Sequence, residues 1–298
     1  MLNRFGMVTL KSILLSIIFA FIVGCGEPSS LIKPGAEIQT IGTGYRFTEG
    51  PAWGPDQKLY FSDIPNNQIW VWNPGTPPKI FLEPSGRSNG LYFDGQGQLL
   101  ACQGGARNVS RIKEGSKLEI LAKLFKDKRF NSPNDLWVHP NGDIYFTDPR
   151  YGKRDSMEMQ TEGVYLLKPN GLILRVVDDM VRPNGIIGSP DGATLYITDP
   201  GAKKTWRFST AQDGSLNDKE LFVERGSDGM TLDKKGNLYI TQGVVAIYQP
   251  NGQLREEIQF PQKPSNITFG GPHNETIFVT ARTGVYSLKM RVRGAHRN

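Results

Sequence analysis

One motif occurs six times between residues 49 and 280, and this repetition constrains the fold more than any other feature of the chain. Each copy begins with an acidic or amide residue, passes through a short apolar run, turns at Pro, Gly, Asn or Asp, and returns in a second run rich in Tyr, Ile, Phe and Thr. The third copy runs from residues 134–138 through a turn at 140–142 to residues 144–148. Two such runs around a turn are typical of a β-hairpin.

The spacing of the copies predicts their arrangement. Their first residues lie 40, 45, 50, 44 and 38 positions apart, and a third apolar run follows most copies. A period of roughly 40–45 residues with four strands per unit is typical of propeller blades. The sequence therefore predicts an all-β, six-bladed β-propeller over residues 37–298, in which residues 37–48 supply a strand that closes the ring with the last blade. A β-sandwich with accidental internal similarity is the alternative.

The first 25 residues predict a targeting segment. An apolar run at residues 13–23 is about half as long as a membrane-spanning helix requires, and it ends in Ile-Val-Gly-Cys, which resembles a bacterial lipobox. We therefore predict a lipoprotein signal peptide at residues 1–24, lipidation of Cys25 and a tether at residues 25–36. The propeller is then extracytoplasmic, periplasmic or at the cell surface, and is anchored to a bacterial membrane only by its N-terminal lipid. An ordinary secretory signal with an incidental cysteine is the alternative.

Composition argues against several kinds of partner and site. The formal net charge of +6 is scattered along the chain without a basic stripe and interleaved aromatic residues, which argues against nucleic acid. Two cysteines and three histidines are too few for a disulfide framework or a Cys/His zinc cage. The histidines, including His296 in the C-terminal tail, are expected at the surface. No Ser-His-Asp set and no obligate protein partner is evident.

The first residues of the six copies, here called the channel residues, predict a binding site. The innermost strand of each blade lines the central channel, so these residues converge at one mouth of it. All of them carry side-chain oxygen: Glu49, Asn89, Asn134, Asn184, Asp228 and Asn266. Converging carboxylates and amides are costly to bury without a cation or water, and oxygen ligands of this kind favour calcium over magnesium. The alternative is that the Asn-Gly and Asp-Gly pairs are only turn formers.

Several of these stretches together resemble a known family. Residues 133–136 with 145–149, residues 182–185 with 189–192, and residues 227–230 resemble the gluconolactonase branch of the SMP-30/gluconolactonase/luciferin-regenerating-enzyme superfamily. The resemblance spans about residues 40–290. It implies a six-bladed propeller with one divalent cation in a central channel, and hydrolysis of a sugar lactone, as in the conversion of D-glucono-1,5-lactone to D-gluconate.

The resemblance also implies roles for individual residues. By position, the metal ligands are Glu49, Asn134, Asn184 and Asp228, and Asp228 transfers the proton. The expected ion is Ca²⁺, with Zn²⁺, Mn²⁺ or Mg²⁺ able to substitute. We expect metal-activated water to attack the lactone carbonyl while Asn134 helps to hold the oxyanion. Asn89 and Arg107 are further predicted substrate contacts.

Three features near this site complete the expectations. A carboxylate bound to a cation is a weak base, so either Asp228 shifts its coordination or another group accepts the proton. Asp135 is expected to point away from Asn134, because side chains alternate along a strand. Asp63, Asp148 and Asp199 recur at the end of the second strand and are expected to cap the neighbouring loops or to support the ligands. The loop at residues 150–162 is a candidate rim or lid.

Two other functions stay open at this point. A lipid-anchored propeller could bind a sugar or a protein without catalysis, because propellers host many functions. The same hydrolytic site could also act on another lactone or ester. The sequence favours a calcium-dependent sugar lactonase and leaves the particular lactone undetermined.

Overall fold

The computed structural model describes residues 1–2, 30–155 and 157–296, and in them the chain forms six four-stranded antiparallel sheets. The inner strands of successive sheets contact one another around a ring, which confirms the predicted six-bladed β-propeller. The predicted signal peptide and Cys25 lie outside the described residues. Within the described part of the chain, no helix has the length and apolar character needed to cross a membrane.

The strands follow one another blade by blade. The first strand is β1 (Gln39–Thr43), and the first three blades comprise β2 (Thr48–Trp53), β3 (Leu59–Asp63), β4 (Gln68–Trp72), β5 (Lys79–Leu82), β6 (Ser88–Phe93), β7 (Leu99–Gln103), β8 (Asn108–Lys113), β9 (Lys117–Ala122), β12 (Leu136–Val138), β13 (Ile144–Asp148), β14 (Gly163–Leu167) and β15 (Ile173–Val177). A short hairpin, β10 (Leu124–Phe125) and β11 (Lys128–Arg129), precedes the third blade, and a 3₁₀ turn (Glu114–Ser116) joins β8 to β9. The last three blades comprise β16 (Ile186–Gly188), β17 (Thr194–Asp199), β18 (Lys204–Thr210), β19 (Leu216–Val223), β20 (Met230–Leu232), β21 (Leu238–Thr241), β22 (Val245–Tyr248), β23 (Leu254–Ile258), β24 (Asn266–Gly270), β25 (Thr276–Ala281) and β26 (Gly284–Lys289).

Strands from both ends of the chain close the ring. The sixth blade has the strand order β24, β25, β26 and β1, and β1 pairs antiparallel with β26. The predicted closing strand in residues 37–48 is therefore confirmed. Because the last blade is incomplete without β1, the N-terminal strand and the C-terminal hairpin hold each other in place.

Apolar side chains fill the spaces between blades. The second strands β3 and β13 are buried along their whole length, whereas β15 and β19 at the outer edge are largely exposed. Aromatic residues bridge neighbouring blades: the rings of Trp53 in the first blade and Phe278 in the sixth stack with centroids 5.0 Å apart. The core is thus a set of sheet-to-sheet interfaces around the channel, which leaves the channel residues as the main polar groups at its mouth.

A β-bulge turns the channel residues of most blades toward the axis. In the fourth blade, the amide of Asn184 donates to the Thr198 carbonyl, and the Thr198 amide donates to the Gly185 carbonyl, each at 3.0 Å. Two residues of the inner strand therefore face one residue of the second strand. The third and fifth blades repeat this pattern. In the first and second blades the inner strand has one more residue than the second strand at the same place. The pairing in the sixth blade is regular.

The glycine after the channel residue permits close contact between blades. A Cβ atom on Gly185 would lie 2.5 Å from the carbonyl oxygen of Asp228, and one on Gly229 would lie 2.0 Å from Cγ of Asn266. The Asn-Gly and Asp-Gly pairs are thus sites of close approach between inner strands, and the interpretation of these pairs as turn formers is wrong. Blades three and six have Asp135 and Ile267 at this position.

Hydrogen bonds near the channel mouth join every blade to the next. Five of the six junctions use a side-chain hydroxyl that donates to a carbonyl of the following blade, and the junction between the second and third blades uses a backbone amide. The donor and acceptor pairs are Ser62 Oγ to Asn89 O, Gly90 N to Asn134 O, Thr147 Oγ1 to Asn184 O, Thr198 Oγ1 to Ser227 O, Thr241 Oγ1 to Ser265 O and Ser265 Oγ to Thr48 O, at 2.7–2.8 Å. This ring of hydrogen bonds fixes the backbone that carries the channel residues.

Both ends of the described chain pack on the propeller. In the part of the predicted tether that the structure describes, Leu31 is buried, its amide donates to Glu256, and its carbonyl accepts from the Arg291 amide. At the other end of the chain, Nε2 of His296 lies 2.8 Å from the Gly188 carbonyl at the channel mouth opposite to the channel residues. The tail therefore packs at that mouth with His296 half-buried, and the expectation that His296 is a plain surface residue is wrong.

Replacing Gly185 by alanine tests the close contact between blades. We expect Gly185→Ala to lower the free energy of unfolding by about 1–3 kcal/mol, because the new Cβ forces the backbone of the fifth blade away. Gly95→Ala is the matched control, since a Cβ there has no neighbour within 4 Å. Urea unfolding of both variants measures the difference, and equal midpoints would contradict the proposed role of the glycine.

Candidate functional site

The channel mouth brings together three of the four predicted metal ligands through direct side-chain contacts. Nδ2 of Asn184 lies 2.7 Å from Oδ1 of Asp228, and the carboxyl groups of Asp228 and Glu49 lie close enough for each to shift the pKa of the other. Asn266 joins the same cluster, because its Nδ2 donates to Oε2 of Glu49 at 3.0 Å. Carboxylates and amides from the first, fourth, fifth and sixth blades thus form one polar cluster on the channel axis.

Asn134, the fourth predicted ligand, has an uncommitted side chain. Its residue is 7% exposed, and its side-chain amide has no hydrogen bond to another residue in the part of the chain that the structure describes. The bulge of the third blade holds its backbone, since its amide donates to the Thr147 carbonyl at 2.9 Å. The polar atoms of this side chain therefore stay available to a ligand or to water at the channel mouth. Asn89 occupies the corresponding position of the second blade and is half-buried.

Burial dominates the electrostatics of the two channel carboxyls. Burial raises the pKa of Glu49 well above its ordinary value, and the negative charge of Asp228 raises it further. Burial also raises the pKa of Asp228, while the Asn184 amide and the Arg282 charge act in the opposite direction. The pair therefore tends to retain a proton at neutral pH, and a cation beside it would remove that tendency.

The donor set of this cluster fits a divalent cation. In residues 30–155 and 157–296, no group of three or more His, Cys, Asp or Glu side chains is arranged to hold a metal. The predicted set reaches four ligands only by adding the amides of Asn134 and Asn184 to the two carboxyls. Two carboxyls at one channel mouth, together with the amides of Asn134 and Asn184, match the oxygen ligands and the charge that a hard divalent ion requires.

Asp135 lies in the channel, although the alternation of side chains, which predicted that it points away from Asn134, argued against a place in the site. Its Oδ2 lies 3.5 Å from Nδ2 of Asn266, and its Oδ1 accepts from the Leu136 amide at 2.9 Å. The cause is the bulge, because Asn134 and Asp135 together face Thr147 and the alternation of side chains is interrupted. Burial raises the pKa of Asp135 to about 7.

Asp63, Asp148 and Asp199 anchor the loops that deliver three of the channel residues, which confirms the capping role expected for them. Each carboxylate accepts hydrogen bonds from the backbone amides three and two positions before the channel residue. The amide donors are Arg46 and Phe47 for Asp63, Asn131 and Ser132 for Asp148, and Val181 and Arg182 for Asp199. The same offset in three blades shows that these carboxylates hold the loops immediately before Glu49, Asn134 and Asn184.

Tyr151 lies over the cluster and is a residue that the sequence analysis missed. Its hydroxyl is 2.5 Å from Nδ2 of Asn184, and the guanidinium of Arg182 lies over its ring, 5.1 Å from the centroid. Burial and the negative charge of Asp228 raise the pKa of the phenol. Tyr151 belongs to the loop at residues 150–162, so this contact places the start of the candidate lid above the channel mouth.

Arg107, by contrast, is not brought to the cluster. Its guanidinium donates to the carbonyls of Phe130 and Arg129, and Nη1 lies 3.5 Å from Oε1 of Glu158. These contacts hold the loop of the second blade against the segment that precedes the third. They favour a structural role, and the substrate contact predicted for Arg107 stays a prediction.

Two cavities flank the channel residues. One of about 310 Å³ opens beside Asp228 and is lined by Phe47, Gln242, Lys263 and Arg282, among others. The other, of about 330 Å³, lies deeper in the channel between Asp135 and His296. The first is the space next to the predicted ligands that a substrate can enter from solvent.

Comparison with known proteins shows what the whole chain is similar to. The sequence profile of the SMP-30/Gluconolactonase/LRE-like region matches residues 47–283. A gluconolactonase of Zymomonas mobilis is 30% identical, with 89% of this chain and 84% of that protein covered. The 6-deoxy-6-sulfogluconolactonase of Pseudomonas putida is 33% identical, with 78% of this chain and 82% of that protein covered. The solved structure of a Xanthomonas campestris gluconolactonase has a TM-score of 0.82 at 31% identity, covering 87% of this chain and 91% of that one.

The buried carboxyl of Asp148 predicts a pH dependence of stability. Burial raises its pKa to about 7, whereas an aspartate in the unfolded chain titrates near 4. The folded state therefore holds a proton that the unfolded state has lost between about pH 4 and 7, and stability falls as the pH rises through this window. We expect Asp148→Asn to remove about 2–3 kcal/mol of the fall between pH 5 and pH 8.

Urea unfolding in the presence of a chelator at the two pH values measures this effect. Asp127→Asn, a change at an exposed turn position, is the matched control and is expected to follow the unsubstituted protein. Identical pH profiles for Asp148→Asn and the unsubstituted protein would show that Asp148 does not hold the proton.

Proposed function

The chain belongs to the SMP-30/gluconolactonase/LRE-like family, and from this premise we propose that it is a lactonase that hydrolyses a sugar lactone to the open sugar acid. The reference substrate is D-glucono-1,5-lactone. The observation that carries the proposal is the cluster of Glu49, Asn184 and Asp228 at a channel mouth whose cavity opens to solvent, with the Asn134 amide left without a hydrogen-bond partner among the described residues. The lactonases to which the chain is similar support the same class of substrate.

We propose that the site holds one divalent cation, most simply calcium, with zinc, manganese or magnesium able to substitute. Glu49, Asn134, Asn184 and Asp228 would hold it through oxygen atoms. A cation bound there polarises the lactone carbonyl and lowers the pKa of a water molecule. The choice of calcium is supported by the all-oxygen donor set and by the mixture of carboxylates and neutral amides.

Asp228 is the residue best placed to move the proton. It is half-buried and lines the mouth cavity, whereas Glu49 is 3% exposed. Its carboxylate would accept a proton from the attacking water and return it to the ring oxygen of the lactone. The charge of Arg282 and the Asn184 amide lower its pKa against the effect of burial, which keeps the carboxylate available near neutral pH.

Neutral donors would hold the oxygen on which negative charge develops. The Nδ2 group of Asn134 has no competing partner among the described residues, so it can donate a hydrogen bond to the former carbonyl oxygen. Its backbone is fixed by the bulge, which means that the donor is oriented before the substrate arrives. Asn89, at the corresponding position of the preceding blade, is the second predicted contact for the hydroxyl groups of the sugar.

Tyr151 would cover the bound lactone. Its contact with Asn184 joins the loop at residues 150–162 to the cluster, and Arg182 supports the ring from the other side. A ring in this position excludes bulk water from the site, and its hydroxyl orients a ligand amide. We assign it a positioning role.

The alternative functions differ from this proposal in measurable ways. A propeller that only binds a sugar or a protein has no need for two carboxyls close together at one channel mouth, since removing them from water costs stability. A site for another lactone or ester would use the same cluster and differ in the cavity beside it. The first alternative predicts no turnover of any lactone, and the second predicts poor turnover of the reference substrate.

We also propose that the protein is a lipoprotein outside the cytoplasm. The sequence of residues 1–25 supports a signal peptide that ends before Cys25, and the lipid on this cysteine would anchor the propeller to the membrane. Because the described chain begins to pack on the propeller at Ser30, few residues would separate the anchor from the fold.

The lactonase proposal is tested by following acid release from D-glucono-1,5-lactone, corrected for spontaneous opening. We expect saturable hydrolysis that is lost on chelation and restored by calcium. Asp228→Asn and Glu49→Gln are each expected to lower kcat by about 100-fold or more, because each removes a charge on which the site depends. Glu37→Gln, an exposed position away from the channel, is the matched control and keeps full activity. A folded protein without turnover of any lactone would overturn the proposal.

The role of Tyr151 is tested by two substitutions. We expect Tyr151→Phe to lower kcat/KM several-fold, because it loses one hydrogen bond worth about 1 kcal/mol, and Tyr151→Ala to lower it further because the cover is also lost. Melting temperatures should change little, since Tyr151 is 52% exposed. Tyr145→Phe is the control, because that hydroxyl bonds to the Gly214 carbonyl instead of to a channel residue. Full activity of Tyr151→Ala would show that the loop does not cover the substrate.

A further inference from the structure

The cavity beside Asp228 has a cationic wall that the proposed lactonase reaction does not use. Lys263 and Arg282 both line this cavity of about 310 Å³, and both are exposed. Arg282 lies over the ring of Phe47, 5.5 Å from the centroid, and its charge lowers the pKa of Asp228. Asp228 is the only carboxylate among the described residues that line the cavity.

Among the described residues, no carboxylate forms a salt bridge with either cation. In the described part of the chain, Lys263 and Arg282 form no ion pair, whereas Arg154 and Arg182 on the same face of the propeller pair with Glu162. Two cations without salt bridges in one concave space next to the reactive cluster raise the local potential for an anion.

The net charge of the channel mouth also favours an anionic ligand. A divalent cation held by Glu49 and Asp228 would balance the two carboxylates, so Lys263 and Arg282 would leave the cavity with net positive charge. A neutral sugar lactone has no group that uses this charge. An acidic group on the substrate, such as a carboxylate, sulfonate or phosphate, would form charge-assisted hydrogen bonds with both side chains.

We propose, on the basis of the lactonase function, that this cavity binds an acidic substituent and that the preferred substrate is an anionic sugar lactone. The lactone ring lies at the channel residues, and the acidic group lies between Lys263 and Arg282. Gln242, which also lines the cavity, supplies a neutral donor on the same wall. Specificity then comes from the loops that enter the first and sixth blades and those that follow β21 and β25, while the channel residues perform the hydrolysis.

The test compares two lactones that differ by one acidic group, D-glucono-1,5-lactone and 6-phospho-D-glucono-1,5-lactone. We expect kcat/KM to be at least 10-fold higher for the phosphorylated lactone, and this ratio to fall about 10-fold in Lys263→Gln and in Arg282→Gln. Lys79→Gln, an exposed lysine on the outer strand β5, is the matched control and keeps the ratio of the unsubstituted protein. Equal values for both lactones, or a ratio that survives the double substitution, would overturn the proposal and leave the lactonase function standing.

A binding measurement separates this proposal from the proposed function. Calorimetric titration with the products, 6-phospho-D-gluconate and D-gluconate, requires no catalysis. We expect tighter binding of the phosphorylated acid and loss of that difference in Lys263→Gln. If neither lactone is hydrolysed but the difference in binding is present, the lactonase function fails and the anion site stands. If the two acids bind equally, the anion site is overturned, whatever the turnover.

Discussion

The hydrogen bond that crosses from each blade to the next at the channel mouth is the interaction on which the rest of the structure depends. In five junctions a Ser or Thr hydroxyl donates to a carbonyl of the following inner strand, and these bonds can form only where the strands approach closely. Gly185 and Gly229 permit that approach, since a Cβ at either position would collide with the next blade. The same contact fixes the narrow channel and aims the preceding side chain into it. Ring closure and site formation therefore follow from one local geometry.

That geometry brings two carboxyl groups close together away from water, and the free-energy cost of this arrangement gives the site its chemistry. Glu49 and Asp228 are carried toward each other by strands that cannot separate without breaking the ring, and their burial raises both pKa values. Side-chain rotation offers little relief, because Asn184 and Asn266 hold the carboxylates through their amides. The remaining ways to lower the cost are a retained proton or a cation. A reactive ester bound at such a place meets an electrostatic environment that the fold has already organised, so little reorganisation is needed during the reaction.

Much of the fold could be predicted because the repeated motif encodes the two inner strands of each blade, where burial on both faces demands apolar residues. The outer strands β15 and β19 were not located, since they are largely exposed and their side chains follow no strict pattern. The bulge was also not predictable from alternation, and this is why the Asp135 side chain was expected to point away from that of Asn134. Tyr151 and His296 reach their places through an irregular loop and a tail, where no periodicity indicates direction. The sequence could show which residues converge, but the partners of Asn184 and Arg107 depend on loop conformations that only the structure supplies.

The departures from sixfold repetition argue that the cluster is more than a device for closing the ring. A purely structural channel could use one residue type and one following glycine in every blade, as the fourth blade does with Asn184 and Gly185. Instead the first and fifth blades carry carboxylates, the third replaces the glycine by Asp135, and the sixth omits the bulge. Each of these changes adds negative charge to the channel or alters the backbone of one blade, while the inter-blade hydrogen bonds stay in place. The charged residues thus differ between blades although their burial costs stability, whereas an inter-blade hydrogen bond is present at every junction. This pattern is expected when the hydrogen bonds serve folding and the charged residues serve a ligand.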